Sequence, residues 1–98
     1  MKKRRIVFRA AALSDLEEIW LYTLNTWSVE QADRYYDLII KETEFLARKP
    51  ASGKNLTAVR SGYFSSKVKF HFIFYKFTET ELEIVRILHE SMDIPNHL

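Results

Sequence analysis

Apolar and polar residues alternate most clearly over residues 68–89, and this pattern predicts a long β-hairpin. Residues 68–77 and 82–89 are rich in aromatic and β-branched side chains, and the polar tetrapeptide 78–81 separates them. Neither predicted strand has a purely polar side, whereas a half-exposed antiparallel sheet normally has one. We therefore expect both faces of this hairpin to be covered.

In the segment before the hairpin, the apolar residues recur with the period of an α-helix. A short strand is predicted at residues 4–8, and Ser14 with Glu17 has the form of a capping box that predicts the start of a helix. The apolar positions of this helix recur at helical spacing, and they are Leu16, Ile19, Trp20, Thr23 and Trp27.

A second helix is predicted directly afterwards. Ser28 and Gln31 repeat the capping pattern, and the helix should end before Pro50, because proline disfavours a helical residue ahead of it. Its apolar stripe consists of Ala32, Tyr35, Tyr36, Ile39, Thr43 and Leu46. The near absence of a connecting loop makes the two helices an αα-hairpin.

The remaining segments complete a small α+β domain. Residues 49–55 form a turn-rich loop, residues 56–64 contain a strand broken near Ser61 and Gly62, and residues 92–98 are a short tail. The order is β-α-α-β-β-β, with the helical hairpin on one face of a mainly antiparallel four-stranded sheet, in a single domain of residues 1–98. Two helices cover only one face, so the second face is expected to bind another chain.

Composition narrows the class of protein. The 98 residues include no cysteine, and no apolar run approaches the roughly 20 residues of a membrane span. The basic start is followed by an apolar stretch that Arg9 interrupts and Asp15 ends, so we expect no export signal, no membrane association and a cytoplasmic location. Residues 1–10 and 45–78 contain basic residues and no acid, and such a surface favours an acidic partner.

Few residues offer catalytic chemistry. Arg86 lies in an apolar strand, where it either pairs with a buried acid, Asp15 or Asp93, or binds a ligand. His89 has the chemistry of a general acid or base, or it forms a hydrogen bond within the fold. The spacing of His89, Asp93 and His97 suits a helical metal site, but Pro95 interrupts that helix, so we expect no metal and no cofactor.

An ordered set of motifs spans almost the whole chain and resembles the ParE toxins of bacterial toxin–antitoxin modules. The set is Asp15-Leu16-x-x-Ile19-x-x-Tyr22-Thr23, Trp27, Gln31-Ala32, Tyr35, Leu46, Pro50, Gly53, Val59-Arg60-x-Gly62-Tyr63, His71-x-Ile73-Phe74-Tyr75, Ile84-Val85-Arg86-Ile87-Leu88-His89-x-x-Met92-Asp93 and His97-Leu98. The final Arg-Ile-Leu-His-x-x-Met-Asp motif is its most specific part.

The resemblance implies the β-α-α-β-β-β fold and a hetero-oligomer with a ParD-like antitoxin. It also implies a toxin that inhibits DNA gyrase by stabilising the gyrase–cleaved DNA complex, without being an enzyme and without sequence-specific nucleic-acid binding of its own. The candidate target contacts are Arg60, Arg86, His89, Met92 and Asp93. The candidate antitoxin contacts are Lys67, Lys69, His71, Ile73 and Tyr75.

RelE-like ribosome-dependent mRNA interferases share this fold and are the alternative. Their chemistry needs cations at the scissile phosphate and an acid–base pair, for which the candidates are Arg60, Arg86 and His89. The ribonuclease branch often carries an arginine on the third strand, and Phe72 stands at the corresponding position here. This difference favours gyrase inhibition over RNA cleavage.

Overall fold

Three helices and five strands follow one another along the chain in a computed structural model that describes residues 3–98. The strands are β1 (Arg5–Phe8), β2 (Lys54–Asn55), β3 (Phe64–Val68), β4 (His71–Phe77) and β5 (Glu81–His89). The helices are α1 (Ala10–Thr26), α2 (Val29–Arg48) and α3 (Ile94–His97), and a 3-10 turn covers Pro50–Ser52. Met1 and Lys2, the start of the basic N-terminal segment, lie outside the described residues. Within residues 3–98, no helix has both the length and the apolar character needed to cross a membrane.

The strands form one mixed sheet in the order β1-β5-β4-β3-β2. β1 pairs with β5 in parallel, and the other neighbours are antiparallel. The predicted α+β class and mainly antiparallel sheet are confirmed, but the sheet has five strands rather than four. The additional strand, β2, has only two residues, too few for the alternation that predicts a strand.

The predicted boundaries of the central strands were wrong. The interval 68–77 crosses a tight turn, because Val68 ends β3 and pairs with His71 at the start of β4. The predicted strand in residues 56–64 is mostly a compact loop, closed by a 2.8 Å hydrogen bond from Leu56 N–H to the Tyr63 carbonyl. The aromatic run masked the turn, since neither glycine nor proline marks it.

The helix starts show where capping patterns succeed and fail. Ser28 Oγ accepts a hydrogen bond from Gln31 N–H at 3.1 Å, which confirms the predicted cap of α2. The first helix begins at Ala10 instead of Ser14, with no side-chain cap at Arg9. A run of alanines, which have the highest helix propensity, extends α1 by a turn before the apparent capping box.

Both long helices pack on one face of the sheet and form the main core. Their buried side chains, including Leu16, Ile19, Ile39 and Leu46, meet the strand residues Ile73, Tyr75, Leu82, Ile84 and Ile87. A β-bulge pairs Phe74 with Arg86 and Tyr75 with Ile84, so Val85 has no partner in the register. The bulge puts Ile84 and Ile87 in the same core, which strict alternation along β5 does not allow.

The second face is covered largely by the chain itself. Phe74 and Leu88 are buried although they are not part of the helix-covered core. Residues from the 56–63 loop and the C-terminal tail line an open pocket of about 210 Å³ over this face, and they include Leu56, Val59, Ile94, Pro95 and Leu98. The premise that the chain leaves this face bare is therefore corrected, because local segments without strand periodicity fold back over part of it, whereas the binding of another chain to this face stays a prediction.

Candidate functional site

A bidentate ion pair joins helix α1 to strand β5. Arg86 Nε donates to Asp15 Oδ2 at 2.7 Å, and its Nη2 donates to Oδ1 at 2.8 Å. Asp15 Oδ2 also accepts the backbone N–H of Ile87 at 3.0 Å. Hydrogen bonding to the Asp15 carboxylate raises the pKa of Arg86. Of the two acids predicted for Arg86, the structure selects Asp15 and not Asp93.

Arg86 is consequently a structural cation. Its third contact, from Nη1 to the carbonyl of His97 at 3.3 Å, connects the ion pair to the C-terminal tail. A planar guanidinium whose donors meet one carboxylate bidentately is already neutralised. Arg86 therefore holds α1, β5 and the tail together and does not present a free charge.

Beside this ion pair lies a cleft of about 410 Å³ between α1 and the end of β5. Its lining residues are Asp15, Glu18, Ile19, Tyr22, His71, Ile87, His89, Ser91 and Met92. The cleft brings His89 together with Met92, two of the predicted target contacts, and adds His71 from the neighbouring strand. Tyr22 and Met92 are both exposed, so the cleft has an open apolar rim.

Two histidines face each other across β4 and β5 in this cleft. His71 and His89 are paired in the register, and their rings meet edge to face with centroids 5.1 Å apart. His89 Nδ1 accepts the Ser91 backbone N–H at 3.1 Å, so the proton of the neutral ring is on Nε2. Ser91 Oγ lies 2.7 Å from the same nitrogen.

A tyrosine of helix α2 holds the second imidazole. Tyr35 Oη donates to the Val68 carbonyl at 3.0 Å and lies 2.6 Å from His71 Nδ1. With the hydroxyl proton committed to Val68, His71 Nδ1 acts as the donor to Tyr35. Burial, followed by repulsion from His89, lowers the pKa of His71 to about 4.

The other predicted target contacts lie outside the cleft. Arg60 stacks on the Tyr63 ring with its guanidinium carbon 5.4 Å from the centroid, and Lys76 Nζ lies 5.5 Å from the same ring. Asp93 Oδ2 accepts from Asn96 Nδ2 at the start of α3. Of Arg60, Arg86 and His89, only His89 lines the cleft, so the three do not form one catalytic cluster.

The family model described as "ParE toxin of type II toxin-antitoxin system, parDE" matches residues 6–94. The chain belongs to this ParE toxin family. Toxin ParE1 of Caulobacter vibrioides (strain ATCC 19089 / CIP 103742 / CB 15) is 37% identical over 98 residues, which cover 100% of this chain and 99% of the relative. Toxin ParE1 of Mycobacterium tuberculosis (strain ATCC 25618 / H37Rv) is 34% identical over 95 residues, covering 96% and 97%. The resemblance inferred from the ordered motifs is confirmed.

Solved structures agree on the fold of this ParE family member. A chain of the "Chromosomal ParDE TA system from P. aeruginosa" superposes with a TM-score of 0.76 at 16% identity, covering 89% of this chain and 96% of that one. A chain of the Mycobacterium tuberculosis toxin–antitoxin complex RelBE2 superposes with a TM-score of 0.72 at 21% identity, covering 94% and 97%. The chain thus shares its fold with both neighbours.

Two of the predicted antitoxin contacts require correction within the ParE fold. Ile73 and Tyr75 have no exposed surface, because the helices cover the side of β4 on which they lie. His71 is on the same side and is half-buried beside Tyr35. Ile73 and Tyr75, predicted as antitoxin contacts, therefore belong to the core beneath the helices.

The predicted basic contacts remain at the surface. Lys67 lies over the Phe72 ring, with Nζ 5.5 Å from the centroid, and forms a 3.5 Å ion pair with Glu90. Lys69 occupies the β3–β4 turn with a φ of 51°. Lys67 thus has partners within the chain, whereas Lys69, which is also exposed, belongs to no salt bridge among residues 3–98.

Sequence reasoning missed a groove at the end of the helical hairpin. This Trp27–Phe70 groove, of about 240 Å³, is lined by Thr23, Trp27, Gln31, Arg34, Tyr35, Leu38, Lys69 and Phe70. Trp27 was assigned to the core by its helical spacing, yet its side chain is largely exposed. Trp27 follows the last residue of α1, so the spacing rule no longer applied to it.

The histidine pair predicts acid sensitivity. Folded His71 has a pKa near 4, below the usual 6.5, so unfolding takes up a proton between these pH values. The contribution of neutral His71 to the free energy of unfolding is fully present above about pH 6.5, and it is lost as the pH falls toward 4. Because the ring is only half-buried, we expect a loss of about 1 kcal/mol between pH 7 and pH 5 from this group.

Urea unfolding at several pH values measures this effect. His71→Gln should flatten the dependence between pH 7 and pH 5, whereas the exposed control His97→Gln should leave it unchanged. An identical pH dependence in wild type and His71→Gln would contradict the assignment.

Proposed function

We propose that this chain acts in the cytoplasm as the toxin of its type II module, and that it inhibits DNA gyrase and replication by stabilising the gyrase–cleaved DNA complex. A ParD-like antitoxin neutralises it in a hetero-oligomer. Membership of the ParE toxin family and the likeness of the fold to a chain of a ParDE TA system support the antitoxin partner. Inhibition proceeds by binding, with no bond made or broken by the toxin itself.

One observation carries the non-enzymatic part of this proposal, namely the neutralisation of Arg86 by Asp15. Phosphodiester cleavage needs positive charge at the scissile phosphate together with a nearby acid and base. The bidentate pair removes Arg86 from that role, and Arg60 is engaged with Tyr63 outside the cleft. Binding through the apolar rim of the cleft requires neither arginine.

An mRNA interferase activity is the second candidate, and the two cleft histidines favour it. His71 is neutral near pH 7, and His89 presents Nε2–H, so a base and a donor lie side by side. The depressed pKa makes His71 a weak base, however, since a base works best with a pKa near the operating pH. Phe72 stands where the ribonuclease branch often carries an arginine, and this difference also argues against RNA cleavage, although Lys67 lies above the Phe72 ring.

A supercoiling assay with purified gyrase tests the leading proposal. The toxin should block supercoiling of relaxed plasmid and should increase the amount of linear DNA recovered after gyrase is denatured and digested. Adding the antitoxin first should restore supercoiling. Full supercoiling at saturating toxin, with no trapped gyrase–cleaved DNA complex, would contradict the proposed gyrase mechanism.

Primer extension on a translated mRNA provides the matched test of the alternative. We expect the same cleavage-free pattern with and without toxin. Cuts within codons that appear with the toxin and vanish in His89→Ala would favour RNA cleavage over gyrase inhibition. The variant should lose the cuts because removing a general acid or base usually costs about 10²–10⁴-fold in rate.

A further inference from the structure

The Trp27–Phe70 groove combines exposed aromatic surface with two basic side chains. Trp27 is 73% exposed and Phe70 is 60% exposed, and Leu38 adds exposed aliphatic surface to the same groove. Large apolar side chains at this exposure, grouped around a concave surface, are typical of protein-binding sites. The groove lies at the junction of the two long helices and the β3–β4 turn, and it adjoins the histidine cleft through Tyr35, whose hydroxyl contacts His71.

The groove is basic and contains no acid. Its two charged lining residues are Arg34 and Lys69. Among residues 3–98, neither belongs to a salt bridge, whereas five other basic residues do, namely Lys3, Arg5, Arg9, Lys67 and Arg86. Two cations beside exposed aromatic rings complement a segment that carries carboxylates next to apolar side chains.

The backbone at Lys69 belongs to the two-residue turn between β3 and β4. Its φ of 51° places a lysine in the left-handed region, which glycine adopts with less strain. No contact of the Lys69 side chain within the described part of the chain accounts for a lysine at this position. A two-residue hairpin turn requires a positive φ at its first central residue, so the turn accounts for this backbone and presents the exposed Lys69 side chain at its tip.

Tyr35 fixes the turn before any ligand arrives. Its hydroxyl donates to the Val68 carbonyl at 3.0 Å and accepts the Phe70 backbone N–H at 3.3 Å. The two residues on either side of Lys69 are therefore tied to helix α2. Because the β3–β4 turn is already ordered, less conformational entropy is lost when a ligand binds to it.

We infer that the groove binds an acidic–apolar peptide segment of the antitoxin, with carboxylates at Arg34 and Lys69 and an apolar side chain between Trp27 and Phe70. This inference rests on the proposed antitoxin partner and specifies where part of it docks. Helix α2 also carries the exposed acids Glu30, Asp33 and Asp37, which disfavour a long polyanion such as single-stranded nucleic acid.

The test measures antitoxin affinity for the double variant Arg34→Gln/Lys69→Gly by titration calorimetry. We expect at least about tenfold weaker binding and a shallower dependence on salt, since two charge-assisted contacts are lost. Lys69→Gly also relieves the strained backbone, so its thermal stability should equal or exceed that of wild type. Loss of affinity without loss of stability separates binding from misfolding. Lys41→Gln, an exposed change on α2 outside the groove, is the control and should bind normally.

Each remaining outcome overturns a defined part of the inference. Wild-type affinity in the double variant would reject the groove while leaving the toxin–antitoxin proposal intact. Failure of the wild-type chain to bind the antitoxin at all would reject both. Binding of a fluorescent oligothymidine that the double variant abolishes would make the groove a nucleic-acid site and reject the peptide.

Discussion

Asp15→Ala is expected to lower the free energy of unfolding by about 3–5 kcal/mol, because it leaves a partly buried cation without its partner. The change removes both hydrogen bonds to Arg86 and the acceptor of the Ile87 backbone N–H. An unpaired buried donor bears its full desolvation cost, which exceeds the net value of the bond itself. The loss should appear in urea unfolding as a lower midpoint with a similar slope.

Two further variants identify the cause of this loss. Glu17→Ala changes an exposed acid on the same helix and should alter stability by less than about 0.5 kcal/mol. Asp15→Ala/Arg86→Met removes the stranded charge as well and should recover part of the loss, since apolar replacements of buried ion pairs are often well tolerated. A double variant as unstable as the sum of the two single variants would show that Asp15 acts independently of Arg86.

The ion pair illustrates how far sequence alone can define a contact. An arginine in an apolar strand required a nearby acid, and only Asp15 and Asp93 were reasonable candidates. Choosing between them needed the start of α1, and the misleading capping pattern at Ser14 placed that start one turn too late. Local patterns therefore predicted the type of interaction correctly, whereas the partner depended on packing between elements 71 residues apart.

The sheet faces show a different limit. Period-two alternation correctly separated the side chains of β4 into two sets, but it contains no information about which set faces the helices. The bulge at Val85 then shifted the pattern within β5. Residues 56–63 and the tail lack strand periodicity, so their role in covering the second face arises from long-range contacts that no local pattern predicts.

The same limit applies to the candidate site. His89 and Met92 were found because a family motif contains them, and the structure places both in one cleft. His71 was assigned to a partner surface, and only the pairing of β4 with β5 brings it to His89. The Trp27–Phe70 groove combines residues from three separate segments, each of which looks unremarkable by itself.

Gly53→Ala is expected to destabilise the fold by about 2–4 kcal/mol through steric overlap in the core. A Cβ at residue 53 would lie 2.1 Å from the Tyr75 hydroxyl oxygen and 2.7 Å from the Ser65 carbonyl oxygen. Neither atom can move easily. Tyr75 is completely buried and donates to the Pro50 carbonyl at 2.5 Å, and Ser65 is paired with Lys54 in the sheet. Burial also raises the pKa of Tyr75 to about 12, so its hydroxyl remains a donor throughout the physiological range.

Gly62→Ala is the matched control, because a Cβ there meets only the flexible end of Lys76 at 3.7 Å. Its φ of 78° should still cost about 1 kcal/mol, since alanine adopts this conformation less readily than glycine. Tyr75→Phe alone should cost about 1 kcal/mol through the lost hydrogen bond. In Gly53→Ala the same change should recover part of the lost stability, because it removes the closer of the two clashing oxygen atoms. In thermal unfolding, the double variant Gly53→Ala/Tyr75→Phe should therefore lose less stability than the sum of the losses of its two single variants. Equal losses for Gly53→Ala and Gly62→Ala, with additive behaviour of Tyr75→Phe, would show that the core accommodates the extra methyl group by moving Tyr75.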